Sequence, residues 1–287
     1  MKYTIKDFQK DFKTDEKCLN FIFNQRYPDG GTCACGKTNC FYPVTGRRTY
    51  ACSHCGKQIS PTEGTIFHKS PTSLRSWFFA MFLMSASKNG VSAKELERQI
   101  GVTYKCAWRM AHQIRKLMAD KGDMLSGVVE ADETYIGPKH PGHRGTYGKA
   151  PIVGVLQRGG NVQAVVSDTV SGKALLANIQ AKVSEASIIC TDEFPGYKGV
   201  RHAGYIHETV NHKQGEYVRG IAHTNSLDGF WSQLKRSING TFHQVSRKHL
   251  QNYVNEFCYR YNRRRSDLPM FSHLQEGVAL RVVAQTA

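Results

Sequence analysis

A chain of 287 residues can hold one large domain or two to three small ones. It carries 39 Lys and Arg against 23 Asp and Glu, a net charge of +16 and a pI near 9.5, which favours a polyanionic partner. The start MKYTIKDFQKDF lacks the apolar core of a secretory signal, and the longest apolar run, residues 77–84, is too short to span a bilayer; the expectation is a cytoplasmic protein with no membrane partner.

The elements follow in chain order. Residues 1–30 read as a helical lead-in that ends at Tyr27-Pro28-Asp29-Gly30. Residues 31–66 are rich in Gly, Thr and Cys, with short strand-like runs. Helical patterns fill 70–120: TSLRSWFFAMFLMSASKNG, then SAKELERQIG, then TYKCAWRMAHQIRKLMADKG. Gly122 and Gly127 flank a linker. From 127 the pattern turns to strands in GVVEADETYIG, PIVGVLQRGGNVQAVVSD and SIICTD, with Arg158-Gly159-Gly160-Asn161 as a hairpin turn. The Gly-, Pro- and cation-rich segment 137–151 reads as a mobile loop. A short helix is expected over 175–182. The C-terminal third is helical again, from near Asn225 and near Ser246.

Five of the nine cysteines fall within one short stretch: Cys33, Cys35, Cys40, Cys52 and Cys55. Cys52-Ser-His-Cys55-Gly56 has the form of a zinc knuckle, two thiolates on a tight turn. Cys33-Ala-Cys35-Gly36 is a shorter version of it, and Cys35 and Cys40 also have acceptable spacing. Tetrahedral Zn²⁺ takes four ligands, so one of Cys33, Cys35 and Cys40 is spare. The stretch FYPVTGRRTYA between the halves suits a ribbon hairpin, whose small core makes the metal structural. His54 reads as exposed rather than as a ligand.

Ser92 is placed to cap SAKELERQIG, with Glu95 completing a capping box. Gly101 makes a turn and Thr103 caps the next helix. That helix is expected to put Trp108, Ile114 and Leu117 inside and Lys105, Arg109, His112 and Arg115 outside. This is the form of a helix-turn-helix with a cationic recognition helix, with Lys105, Arg109 and Arg115 as candidate DNA contacts.

The segment HTNSLDGFWSQLKRSINGTFH carries the most chemistry. Asp228 and Lys235 lie seven residues apart, two turns along one helix face, with Asn225 three residues earlier. Two apolar runs upstream deliver Asp132 and Asp192. Three separated acids that meet at one point suit a divalent-metal site for phosphoryl transfer, and hard oxygen ligands favour Mg²⁺ or Mn²⁺. Glu130, Glu133 and Glu193 are electrostatic neighbours; alternation turns Glu133 to the strand face opposite Asp132. From Ser232 to Arg265 there are eight Lys and Arg and a single acid, Glu256, a basic stripe suited to a phosphate backbone. Trp231 reads as core. The order hairpin, strand, helix, strand, helix suggests an α/β, ribonuclease-H-like catalytic domain over 127–287, closed by basic C-terminal helices.

YACSHCGKQISPTEGTIFHKS, SAKELERQIGVTYKCAWRMAHQIR, EADETYIG, GKAPIVGV, TDEFPGY, HTNSLDGFWSQLKRSINGTFH and NEFCYRYNRR occur in this order over nearly the whole chain. In them the chain resembles the bacterial insertion-sequence DDE transposases that carry an N-terminal zinc ribbon and helix-turn-helix. The resemblance implies binding of double-stranded DNA at element ends and target, followed by strand cleavage and strand transfer with two Mg²⁺. It implies that Asp132 and Asp192 are the first two catalytic acids, that Asp228 stands where the family usually has Glu, and that Lys235 is the basic residue seven positions on. Asn225 is a possible neutral ligand, and Lys235 and Arg236 are expected to contact phosphates. Two-ended chemistry implies a homodimer or a larger synaptic complex, at work in the bacterial cytoplasm on the nucleoid. The competing reading is an inactive or domesticated DNA-binding regulator, and Asp228 in place of Glu is the feature behind it. A structure-selective nuclease on the same fold explains the acids but gives less reason for the N-terminal modules.

Overall fold

Hydroxyl side chains start the first six helices. In the computed structural model, which describes residues 3–278 apart from 121, 139, 144, 212, 213 and 217, each of Thr4, Thr14, Ser73, Ser92 and Ser171 accepts a backbone N–H three residues on. The helices they open are α1 (Ile5–Asp11), α2 (Asp15–Arg26), α3 (Leu74–Ala86), α4 (Ala93–Ile100) and α6 (Gly172–Gln180). Helix α5 (Tyr104–Leu117) begins after Thr103, whose hydroxyl accepts the Cys106 N–H at 3.4 Å. At α4 the Ser92 cap is made, while the Glu95 carboxylate turns forward to Arg98 and Gln99. The chain divides into two units, Met1–Leu117 with Ser266–Ala287, and Met118–Arg265.

In the first unit β1 (Phe41–Pro43), β2 (Tyr50–Cys52) and β3 (Gln58–Ile59) form an antiparallel ribbon in that order, with Phe41 opposite Cys52 and Tyr50 opposite Ile59. Arg48 ties the ribbon to the helices by donating to the carbonyls of Ser70 and Thr72 and to Asp15. The helical core is aromatic. Phe8 stacks on Phe82 with ring centroids 5.5 Å apart, and Phe12 meets Phe78 at 4.7 Å. Phe271, on α9 (Met270–Gly277), stands edge-on to Phe82 at 5.8 Å. The last described helix therefore packs with the N-terminal helices, although the sequence reading ran the catalytic domain to residue 287. The reason is that the ring-lined groove of α1 and α3 accepts an aromatic side chain edge-on.

The second unit is built on β4 (Val128–Ile136), β5 (Ala150–Gln157), β6 (Val162–Val166), β7 (Ile188–Thr191) and β8 (Ile206–Thr209). The sheet order is β6-β5-β4-β7-β8; β4, β5 and β6 are antiparallel, and β7 and β8 run parallel to β4. A meander, a helical crossover and parallel strands on the far side of the first strand make the ribonuclease-H-like arrangement expected from the sequence. Strand alternation splits the core. Val129, Ala131, Val153 and Val155 pack with Leu175 and Ile179 of α6 on one face. On the other face Ile136, Ile152 and Leu156 pack with α7 (Asn225–Ser237) and α8 (Arg247–Asn262) through Leu227, Trp231, Leu234, Leu250 and Val254. Each such aliphatic side chain contributes about 1.5–3 kcal/mol by leaving water. The sequence reading missed β8, and α6 starts three residues earlier than its expected helix because Ser171 caps it.

Candidate active site and cysteine centre

Asp132 lies in the middle of β4 on the face that α7 covers. Neighbouring β4 and β7 pair Glu130 with Cys190, and the same offset carried two residues on brings Asp192 level with Asp132. Asp192 sits just past the end of β7, where its Oδ1 accepts the Phe194 N–H at 3.0 Å and the chain turns. Asp228 comes from the first turn of α7, and its Oδ2 accepts the Thr224 hydroxyl at 3.0 Å. Burial pushes the Asp132 carboxyl up to about 8, and the charges of Glu133, Asp228 and Asp192 add to the rise. The three acids named from the sequence thus share one electrostatic centre.

Glu133 projects from the opposite face of β4, as alternation requires, and accepts the Tyr197 hydroxyl at 2.9 Å. Burial raises its carboxyl, Asp192 raises it further, and the Tyr197 bond opposes the rise. Trp231 is core, 3% exposed, but it also touches the site: its indole N–H donates to Asp132 Oδ2 at 2.9 Å. Gly154, paired with Asp132 across β4 and β5, makes room for the ring; a Cβ there would stand 2.6 Å from Trp231 Cζ2. The aromatic spacing along α7 marks Trp231 as buried but gives no sign of this bond, which only the docking of α7 on β4 creates.

The donor set is chemically suited to divalent cations. A carboxyl held in its neutral form first by burial and then by the charges of Glu133, Asp228 and Asp192 would ionise beside a cation, and all the donors are hard oxygens. The carboxylate oxygens are spread more widely than one ion's shell. Among the described residues only four cysteines bring possible ligand atoms within 4.8 Å of one another.

Lys235 is exposed on α7 and lines a cleft of about 550 Å³ with Tyr135, Lys149, Asn239 and His243. Asn225 is the first residue of α7 and is exposed. Arg236 is exposed, and its Nε donates to the Ser232 carbonyl at 3.3 Å.

Helices α4 and α5 meet through the turn Gly101-Val102-Thr103. Lys105 and Arg109 are exposed, as expected. Three expectations fail. Arg115 is 2% exposed and His112 7%, while Trp108 is 37% exposed and meets the His112 ring in a tilted contact with centroids 4.0 Å apart. The buried face of α5 runs through Ala107, Met110, Ala111 and Ile114, and positions 112 and 115 fall on it. The outward face at 104, 105, 108 and 109 combines two aromatic rings with two cations.

In the ribbon the cysteine quartet is Cys33, Cys35, Cys52 and Cys55. Cys33 and Cys55 sulfurs are 3.5 Å apart, and those of Cys35 and Cys52 are 3.8 Å apart. Gly56 takes φ +71° as the Cys52–Cys55 turn closes, a conformation that costs glycine little. Backbone N–H groups of Cys55 and His54 aimed at the Cys52 sulfur bring its thiol down to about 6, toward the thiolate a metal needs. Cys40 is the cysteine left over. It stands 3.4 Å from the Cys52 sulfur, but its thiol donates to the Lys37 carbonyl, and burial raises it. Four thiolates on two short turns make a centre for structural zinc.

Residues 124–262 match the family described as the ISXO2-like transposase domain, and residues 13–58 match the transposase zinc-ribbon domain; together they span well over half the chain. An uncharacterized protein in transposable element ISH50 of Halobacterium salinarum is 24% identical over 273 residues, covering 88% of this chain and 92% of its own length. Solved structures with some likeness include the Mos1 strand transfer complex, 11% identical with a TM-score of 0.31, over 69% of this chain and 74% of that one. Another is a simian T-cell lymphotropic virus intasome in complex with PP2A regulatory subunit B56 gamma, 14% identical with a TM-score of 0.28, over 72% and 69%. Among the described residues no helix is long and apolar enough to cross a membrane. With a zinc-ribbon match at one end and a transposase-domain match over the ribonuclease-H-like sheet and its acids, the chain belongs to the ISXO2-like transposases.

Proposed function

We propose that this transposase binds the ends of an insertion sequence as double-stranded DNA and catalyses metal-dependent strand cleavage and strand transfer. The observation that carries the reading is Asp132: a half-buried carboxyl pushed up to about 8 with Asp192 and Asp228 both acting on it. Such a group is costly to keep unless a cation completes it. Asp132, Asp192 and Asp228 would hold two Mg²⁺ or Mn²⁺, with Asn225 as a neutral oxygen nearby. When bound, such ions activate water or a DNA 3′-hydroxyl and stabilise the leaving oxygen of an in-line displacement.

The chain's own residues then orient and position. The Trp231 indole N–H holds one Asp132 oxygen, leaving the other for a cation. The Thr224 hydroxyl orients Asp228, which compensates in part for a side chain one methylene shorter than Glu. Lys235 binds phosphate in the cleft beside the end of β4, and Arg236 extends the cationic face. In the first unit Lys105 and Arg109 on α5 meet the DNA groove, and the zinc ribbon adds a second DNA-facing module. Two element ends call for a homodimer or a larger synaptic complex, working on the nucleoid in the bacterial cytoplasm.

The test is nicking of a supercoiled plasmid that carries the terminal repeats, with Mg²⁺. Asp132→Asn and Asp192→Asn should each abolish cleavage while end binding persists, because each removes an anionic ligand. Asp228→Ala should do the same, and Asp228→Glu should retain or raise activity. Full cleavage by Asp228→Ala overturns the third-acid assignment. A wild-type protein that binds the ends but cuts with neither Mg²⁺ nor Mn²⁺ is the DNA-binding regulator instead.

A further inference from the structure

Glu130 lies on β4 two residues before Asp132 and is wholly buried, at 0% exposure. Its partners are specific. Oε1 accepts Arg158 Nε at 2.9 Å and lies 3.3 Å from His223 Nδ1, which is too poorly aligned to count as a hydrogen bond. Oε2 accepts the backbone N–H of Leu227 at 2.9 Å. Arg158 in turn donates through Nη2 to the His223 carbonyl at 2.8 Å. One buried carboxylate and one guanidinium thus grip both the approach to α7 and its first turn.

That grip falls where α7 lacks a cap of its own. Thr224 precedes the helix but makes no side-chain cap, because its hydroxyl donates to Asp228. The Leu227 N–H reaches the Thr224 carbonyl at 3.0 Å and shares its hydrogen bond with Glu130 on the strand. A carboxylate at a helix N-terminus also meets the positive end of the helix dipole. Leu227 is the residue immediately before Asp228, and Glu130 is one strand repeat from Asp132. The same side chain is therefore bonded next to one metal-holding acid and rooted next to another.

We propose that Glu130 is a positioning residue: with Arg158 it pins the N-terminus of α7 to β4 and so sets the placement of Asp228 relative to Asp132. The proposal rests on the acid centre argued above. A buried carboxylate could instead serve stability alone, so the test needs a readout that stability does not move. Glu130→Gln keeps the volume but cannot accept from both Arg158 and Leu227 while presenting its NH₂ group. The double variant Glu130→Met with Arg158→Met removes both charges together, a change that interiors tolerate far better than one unpaired charge.

The measurement is Mn²⁺ binding by electron paramagnetic resonance on full-length, zinc-loaded protein, with thermal melting, element-end DNA binding and nicking in parallel. The double variant is expected to melt near the wild type and to bind DNA equally well. Its half-saturating Mn²⁺ should rise about 10–100-fold, as for the loss of other outer-shell supports, with a matching loss of nicking. Glu130→Gln supplies the same readout if the double variant melts early. If either folded variant binds Mn²⁺ within about twofold of the wild type, far below that range, the positioning role is wrong. Asp132→Asn separates this from failure of the acid centre. If Asp132→Asn leaves Mn²⁺ binding unchanged, the centre itself is misassigned and the role of Glu130 falls with it; if it removes binding that the Glu130 variants keep, only the positioning role falls.

Discussion

Metal binding at the acid centre should release a proton, and Asp132 sets the size of the effect. Its carboxyl ordinarily titrates at 3.8 and stands at about 8 here, driven first by burial and then by Glu133, Asp228 and Asp192. That displacement corresponds to roughly 6 kcal/mol against the charged form, an order-of-magnitude figure. A cation needs the charged form, so at about pH 7 only about a tenth of the molecules are ready, and at about pH 6 about a hundredth. Apparent Mn²⁺ affinity should climb nearly tenfold per pH unit up to about pH 8 and then level off. Stability follows the opposite course. A folded-state value raised above the unfolded one stabilises the fold at low pH, and the contribution is lost as pH rises through about 8. Without added Mg²⁺ or Mn²⁺ the second unit should melt earlier at about pH 9 than at about pH 5, Glu133 acting in the same direction, and saturating Mn²⁺ should reverse the loss. Mn²⁺ titrations by electron paramagnetic resonance across this range, on zinc-loaded protein without chelator, give the affinities. Affinity that stays flat between about pH 6 and about pH 8 would refute the reasoning, since no proton would then compete with the metal.

Three further outcomes are expected. Purified protein should hold about one Zn²⁺ per chain; Cys33→Ser, Cys35→Ser, Cys52→Ser and Cys55→Ser should each lose it while Cys40→Ser keeps it, as read by metal analysis. Trp231→Phe keeps most of the core volume but loses the donor to Asp132, so nicking should fall about 10–100-fold with end binding unchanged; Gly154→Ala, which drives a methyl into the indole, should do likewise. Arg109→Ala should weaken end binding by about 1–3 kcal/mol if it reads a base edge, whereas Arg115→Ala, at a position only 2% exposed, should lower the melting temperature of the first unit and leave footprints unchanged.

The sequence by itself determined whatever depends on local periodicity and residue chemistry. Apolar alternation announced the strands that carry Asp132 and Asp192, helical spacing put Asp228 and Lys235 on one face, and paired Cys-Gly turns announced the ribbon. These are short-range patterns, and the backbone has few ways to satisfy them. Tertiary structure decided the rest, because which face is buried depends on what packs there. Positions 112 and 115 of α5 carry polar side chains that the sequence reading sent outward, yet they fall on the side that Ala107, Met110 and Ile114 bury; Trp108 is left outside. Strand β8, Ile-His-Glu-Thr, escaped notice because it has no apolar alternation: its one apolar residue, Ile206, is exposed and the buried position is His207. Phe271 draws α9 into the aromatic core of the first unit, a destination that nothing near residue 271 encodes. The spare cysteine was settled only when two turns met and left the Cys40 thiol bonded to a carbonyl. Glu130 read as one acid among several near the site. Its bond to the Leu227 amide joins residues 97 apart in sequence, a pairing that only the docking of α7 on the sheet brings about.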